Sequence, residues 1–173
     1  MAARHHDFGV AQVRPEAHGQ PGHRTFQLLL ESSAGNAALV LEKQQLSELA
    51  LAVQHLLELH APARATAPLP DVAASHVQVE FKIGRIGLDF DVKRQSILAL
   101  LQDEEATEKD SVNISCWLPR QAAQEFCEAA LAVCAAGRPL CPLCHGPIDP
   151  EGHRCPKSNG HKVAALEEGS QQI

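Results

Sequence analysis

The segment Cys141-Pro-Leu-Cys144, followed after eight intervening residues by His153-Arg-Cys155, constrains this chain more than any other stretch of it. Two thiolates separated by two residues share one tight turn and can grip one side of a tetrahedral ion, while a second turn supplies the other side. Gly146, Pro147, Pro150 and Gly152 lie in the gap and carry the turn chemistry this needs. Cys141, Cys144, His153 and Cys155 would fill the coordination sphere of zinc and leave no vertex for substrate or activated water. The pattern therefore predicts a structural zinc. His153 stands one residue from Cys155, closer than the usual spacing, so His161 is an alternative fourth ligand and His145 a further candidate. A lone Cys-x-x-Cys also fits a redox dithiol; the third Cys, the nearby His and the turn residues favour metal.

The other half of the six cysteines reads differently. Cys116, Cys127 and Cys134 fall in apolar strand-like or helix-like contexts, where a thiol is a small buried hydrophobe. The amino terminus, Met-Ala-Ala-Arg-His-His-Asp, lacks the apolar stretch of a secretory signal, and no run is long enough to span a bilayer. A cytoplasmic location follows, where thiols serve metals or cores rather than disulfides. Fifteen basic against twenty-one acidic residues give a net charge of −6, which argues against bulk nucleic-acid or anionic-membrane binding. Arg138, Arg154, Lys157 and Lys162 around the Cys cluster form only a weak basic patch.

Upstream, hydrophobic periodicity outlines two βββα-like units. In the first, residues 1–60, an opening strand over Asp7 to Val13 leads through a loop, Arg14 to His23, to strands over Thr25 to Glu31 and Ala37 to Leu41. A helix follows over Glu42 to Leu59, with Leu46, Leu49, Ala50, Val53, Leu56, Leu57 and His60 on one face. Residues 61–75, with Pro62, Pro68 and Pro70 among alanines, read as a linker. In the second unit, residues 76–137, Val77, Val79, Phe81 and Ile83 alternate with polar residues, and the parity then shifts to Ile86, Leu88 and Phe90. A bulge near Gly84-Arg85 explains the shift, with a two-residue hairpin as the competing reading. Strands over Ser96 to Leu101 and Ser111 to Leu118 flank an acidic loop, Asp103 to Asp110. Pro119 opens the second helix and Gly137 ends it. Residues 138–161 form the zinc knuckle and 162–173 a polar tail.

The segment Leu41-Glu-Lys-Gln44-Gln-Leu-Ser-Glu48-Leu49 aligns with Leu118-Pro-Arg-Gln121-Ala-Ala-Gln-Glu125-Phe126, which points to an internal duplication. Neither unit can cover its own sheet face. The economical architecture is α+β: one mostly antiparallel sheet of about six strands with both helices on one face, and the zinc knuckle appended.

Three stretches resemble the uncharacterised bacterial family called domain of unknown function 3090. They are Gly19-Gln-Pro21-Gly22-His-Arg24-Thr-Phe26 with Leu41-Glu-Lys-Gln-Gln45, then Glu80-Phe81-Lys-Ile-Gly84 with Leu88, and lastly the tail. The tail comprises Ala136-Gly-Arg-Pro139, Cys141-Pro-Leu-Cys144, Asp149-Pro-Glu-Gly-His153-Arg-Cys155-Pro and Asn159-Gly160, and is the specific part. The resemblance implies no established activity. His145 and His161 depart from the family pattern, which usually has Gly and an aromatic residue there. The resemblance also loosely implies a polar site at Arg24, Lys43 and Gln44; as plain sequence these are a strand flank and the solvated start of a helix.

No nucleophile elbow, phosphate-cradling glycine loop, acid/base carboxylate pair or zincin pattern is present, so the sequence leaves open whether the protein is an enzyme. Three functions follow in order. The first is a binding or adaptor module whose zinc knuckle recognises a protein partner. The second is an enzyme or small-molecule binder with a pocket between the two units. The third is a weak nucleic-acid binder acting through the knuckle.

Overall fold

The computed structural model describes residues 4–20, 22–105, 112–136, 141–145, 148 and 152–157. Contacts divide the chain into two compact units, Met1–Cys134 and Ala135–Ile173. The first contains strands β1 (Arg4–Val10), β2 (Gln12–His18), β3 (Thr25–Ser32) and β4 (Gly35–Leu41), helix α1 (Lys43–Leu59), and strands β5 (Val77–Asp91), β6 (Ser96–Asp103) and β7 (Val112–Pro119). Helix α2 (Arg120–Ala135) closes it. Gly137, the tip of the acidic loop and the tail beyond Lys157 lie outside the described residues.

The strands form one mixed seven-stranded sheet in the order β1-β7-β6-β5-β4-β3-β2, not the mostly antiparallel six-stranded sheet expected from the sequence. Two pairings are parallel. After β4 the chain crosses over through α1 and returns as β5 beside β4, with Gly35 opposite Val77 and Val40 opposite Lys82. Such a crossover is the connection that parallel neighbours require. β1 likewise runs parallel to β7. The seventh strand comes from the stretch read as a loop: β2 continues to His18 and pairs antiparallel with β3 from Gln12↔Glu31 to His18↔Thr25. Pro15 lies within it because β2 pairs on one side alone, and an edge is where a residue with no N–H to give can sit.

The two ends of this strand order meet. β1 and β2 stand at opposite ends of the list of neighbours, yet only Ala11 separates them in the chain. Two Cα steps span at most about 7.6 Å, so the sheet must curl until β1 and β2 run on as one kinked strand, paired with β7 in its first half and with β3 in its second. Ala11 itself donates its N–H to the Trp117 carbonyl (3.2 Å), continuing the β1–β7 pairing into the junction. β5 plays the same part at the other side of the ring: its first half pairs with β4 and its second half, Ile83 to Asp91, with β6. The register shift between Ile83 and Arg85 is the bulge read from the sequence, and β5 runs through it as a single strand. Gly84 is needed there because a Cβ would lie 2.5 Å from the Glu104 Cα, where the Glu104 N–H reaches the Lys82 carbonyl.

The closed sheet and both helices share one core in which Phe8, Leu30, Leu39, Leu46, Ile83, Ile97 and Ile114 are completely buried. α1 starts after Glu42, whose N–H is accepted by Gln45 Oε1 (2.9 Å), while Gln45 Nε2 donates to the Ile83 carbonyl (3.2 Å) and anchors the first turn to β5. α2 begins at Arg120, and Pro119 closes β7 instead of opening the helix. The helices run antiparallel along one another. Arg120 at the start of α2 donates to the carbonyls of Leu57 (3.2 Å) and His60 at the end of α1, capping groups that a helix terminus leaves without intrahelical partners. Midway, Cys127 Sγ meets the Ala50 carbonyl (3.3 Å), and Cys134 at the end of α2 meets that of Lys43 (3.8 Å).

Residues 61–76 have no regular structure but are pinned to the sheet. Thr66 and Ala67 donate to the Lys93 carbonyl, Ala63 to Gln95 Oε1, and Ser75 to the Ser33 carbonyl. Arg94 donates to the Pro68 carbonyl (3.0 Å) while its guanidinium lies over the Trp117 ring.

Candidate metal centre

In the second unit the residues singled out by spacing converge. Cys141, Cys144, His153 and Cys155 place their ligand atoms within 4.8 Å of one another, so the cluster could hold a metal ion. The turn Cys141–His145 is closed by the His145 N–H donating to the Cys141 carbonyl (2.8 Å). His145 adopts a left-handed backbone, φ 58°, a conformation glycine enters without strain. Its exposed side chain is not one of the four converging groups. His161 lies outside the described residues. Ile148, which sequence reasoning passed over, is 7% exposed and forms a small apolar core with Cys141 and Cys155.

The distances suit a tetrahedral ion. Cys141 Sγ and Cys155 Sγ are 3.7 Å apart. Two sulfurs at about 2.3 Å from one zinc, at the tetrahedral angle, stand about 3.8 Å apart. Cys144 Sγ and His153 Nε2 lie at 3.0 Å. The corresponding sulfur–nitrogen edge is about 3.5 Å, so an ion would spread that pair by about half an ångström. The backbone N–H groups of Cys144 and Leu143 point at the Cys141 sulfur and, with the neighbouring thiols, hold its pKa down at about 6 against the ordinary 9.0. A thiolate is the form that binds metal.

The three remaining cysteines belong to the barrel core. Burial pushes the Cys116 thiol up to about 12, with Asp7 adding to the effect. Burial also raises Cys127, helped by the charge of Glu128. These are packing thiols, as read from the sequence.

The polar trio is less concentrated. Phe26 pairs with Leu41, so Arg24 and Lys43 leave the sheet at the same end. Gln44, exposed on α1, donates instead to Glu48 Oε1 on its own helix (2.8 Å). β1 and β7 bring together three residues that sequence reasoning left unconnected: His5 Nε2 lies 3.0 Å from Ser115 Oγ, and Asp7 Oδ1 3.4 Å from the same hydroxyl. This is not a nucleophilic relay, because Asp7 holds the serine and the Gly9 N–H rather than orienting the imidazole.

Fold and site together define an α+β protein with a closed mixed sheet and a three-cysteine, one-histidine cluster able to hold a metal. Residues 6–155 match the family model described as protein of unknown function (DUF3090), and the chain belongs to that family. The match ends on the last of the four clustered residues, so the cluster lies within the family's domain. No curated protein and no solved structure matches the chain.

Proposed function

We propose that this protein is a zinc-binding adaptor: Cys141, Cys144, His153 and Cys155 hold one structural zinc, and the turn they brace recognises a protein partner. The convergence of three sulfurs and one imidazole nitrogen within 4.8 Å carries the reading. Zinc is the ion whose structural sites use this donor set in four-coordinate form. A filled shell offers no open position for chemistry, which favours binding over catalysis. Leu143, between two ligands, is 55% exposed and would be presented on a turn made rigid by the metal. The proposed setting is the cytoplasm, where such thiols stay reduced.

A pocket between the two halves of the barrel is the competing reading, with Arg24, Lys43 and Gln44 at its rim. The enclosed cavity in the core, lined by Leu28, Leu88, Ala99 and Cys116 among others, is about 20 Å³, about the room one water needs. An open groove of about 390 Å³ lies between α1 and β5, lined by Gln45, Glu48, Leu49, Gly84 and Leu88 among others, and supports the small-molecule reading as the second one.

The barrel itself we read as an internal duplication. The stretch β1–Ala11–β2 has the length of β5, and counted from their first residues Asp7, Phe8, Val10, Ala11 and Val13 correspond to Glu80, Phe81, Ile83, Gly84 and Ile86. The order β3, β4, α1 recurs as β6, β7, α2.

Elemental analysis of purified protein tests the zinc reading, with one zinc per chain expected and its loss in Cys144→Ser. Affinity capture before and after chelation tests the adaptor. A partner held equally well by metal-stripped protein would overturn the recognition role.

A further inference from the structure

We propose that the knuckle is an oxidant-responsive site, in which hydrogen peroxide joins Cys144 to Cys141 as a disulfide and expels the metal. The proposal rests on the zinc reading and adds to it how the site is regulated. Three observations carry it. The sulfurs share one small volume, all within 4.8 Å. They differ in access: Cys141 is 1% and Cys155 8% exposed, whereas Cys144 is partly open to solvent. Cys141 and Cys144 also stand on the same closed turn, whose ends are joined by the His145 N–H to Cys141 carbonyl bond.

The chemistry follows from those positions. The Cys144 sulfur, the one a small solute reaches, attacks a peroxide oxygen; the O–O bond breaks, the sulfur becomes a sulfenic acid and hydroxide leaves. The Cys141 sulfur then attacks the Cys144 sulfur, the S–S bond forms and a second hydroxide leaves. Each sulfur has lost one electron, the peroxide has gained two, and two protons from solvent complete two waters. Only His153 and Cys155 remain as ligands. Two protein ligands fall short of the three that even open zinc sites keep, so the ion departs as a divalent cation with its oxidation state unchanged. Reduction of the disulfide by a thiol restores the site.

The test uses the full chain loaded with zinc and treated with hydrogen peroxide. Released metal is read with a chromogenic chelator, and disulfides are located by non-reducing peptide mapping. One zinc released per Cys141–Cys144 disulfide, reversed by thiol reductant and fresh zinc, is the expected result. Cys116, Cys127 and Cys134, buried in the barrel, are internal references that stay reduced. Cys155→Ser should keep the Cys141–Cys144 disulfide and Cys144→Ser should lose it, with circular dichroism checking that the barrel is intact in both. Metal retained after the thiols are oxidised, or a map showing Cys141 joined to Cys155, overturns the proposal. Protein that carries no metal before oxidant is added defeats the zinc reading instead, and the same map on that protein still reports the thiol pairing.

Discussion

The barrel and the knuckle each contain three of the six cysteines, and put them to opposite use. In the barrel, Cys116, Cys127 and Cys134 lie apart on β7 and along α2, surrounded by leucine, isoleucine and phenylalanine. Desolvation disfavours the charged form of Cys116 and Cys127, and all three fill core volume while Cys127 and Cys134 also meet backbone carbonyls of α1. In the knuckle Cys141 meets backbone N–H groups and neighbouring thiols, which favours its thiolate. The barrel is large enough to bury a core; among the described residues the knuckle's core is Ile148 and the sulfurs themselves. A segment that small gains most from a bound metal, which is the role proposed for it. One residue type thus serves as a hydrophobe in the barrel and offers a metal-binding cluster in the knuckle, according to how much apolar surface its neighbours can bury.

Stripping the metal should separate the two regions most sharply. Structural zinc in small peptides contributes on the order of 10 kcal/mol, so chelation should abolish amide protection over residues 141–157 and leave that of the barrel strands unchanged in hydrogen exchange. Acid provides a second route. Because the Cys141 pKa of the metal-free fold is depressed, its contribution to folding is fully present above 9.0 and disappears as pH falls through about 6; protons also compete with a metal for the same sulfurs, so metal content measured against pH should fall on acidification. A barrel that unfolds together with the knuckle would break the comparison.

The converse perturbation comes next in size. Leu39→Ala, at a completely buried position in β4, should cost about 2–5 kcal/mol in urea unfolding and leave zinc stoichiometry untouched. Gly35→Ala should follow, at more than about 1 kcal/mol. Gly35 has φ 145°, and an added Cβ would lie 1.9 Å from the Val77 carbonyl oxygen, prising β4 from β5 at its first pair. The smallest effect sharpens the relation between the two halves of the barrel. Gln44 and Gln121 make the same contact one turn along their helices, to Glu48 (2.8 Å) and Glu125 (3.0 Å). Gln44→Ala and Gln121→Ala should each cost about 0.2–0.5 kcal/mol, equal within error in thermal melts if the halves are equivalent.

Much of this architecture was legible in the chain. The buried face of α1 is Leu46, Leu49, Ala50, Val53 and Leu57, five of the seven positions that three- and four-residue spacing marks; Leu56 is half-buried, and His60 stands just past the helix as its C-cap. The parity change between Ile83 and Ile86 announced the bulge. β2 was read as a loop although Gln12, Arg14, Glu16 and His18 alternate with Val13, Pro15 and Ala17, because Pro15 and the small Ala17 weaken a strand signal. Pairing with β3 makes it a strand. The likeness of residue types between β1–β2 and β5 on which the proposed duplication rests is equally faint in the sequence, and is seen once Asp7 is found paired with Ser115 and Glu80 with Ala38.

By itself, the order of residues determined which groups could ever become ligands, which helix faces turn inward and where β5 must bulge. These depend on neighbours a few positions away, whose spacing is built into the backbone. Tertiary structure alone decided that β1 lies parallel to β7, that the sheet closes through Ala11, and that Arg120 caps the far end of the other helix. Those contacts join residues about a hundred or sixty positions apart, and they form because curling the sheet buries both of its apolar edges in one core.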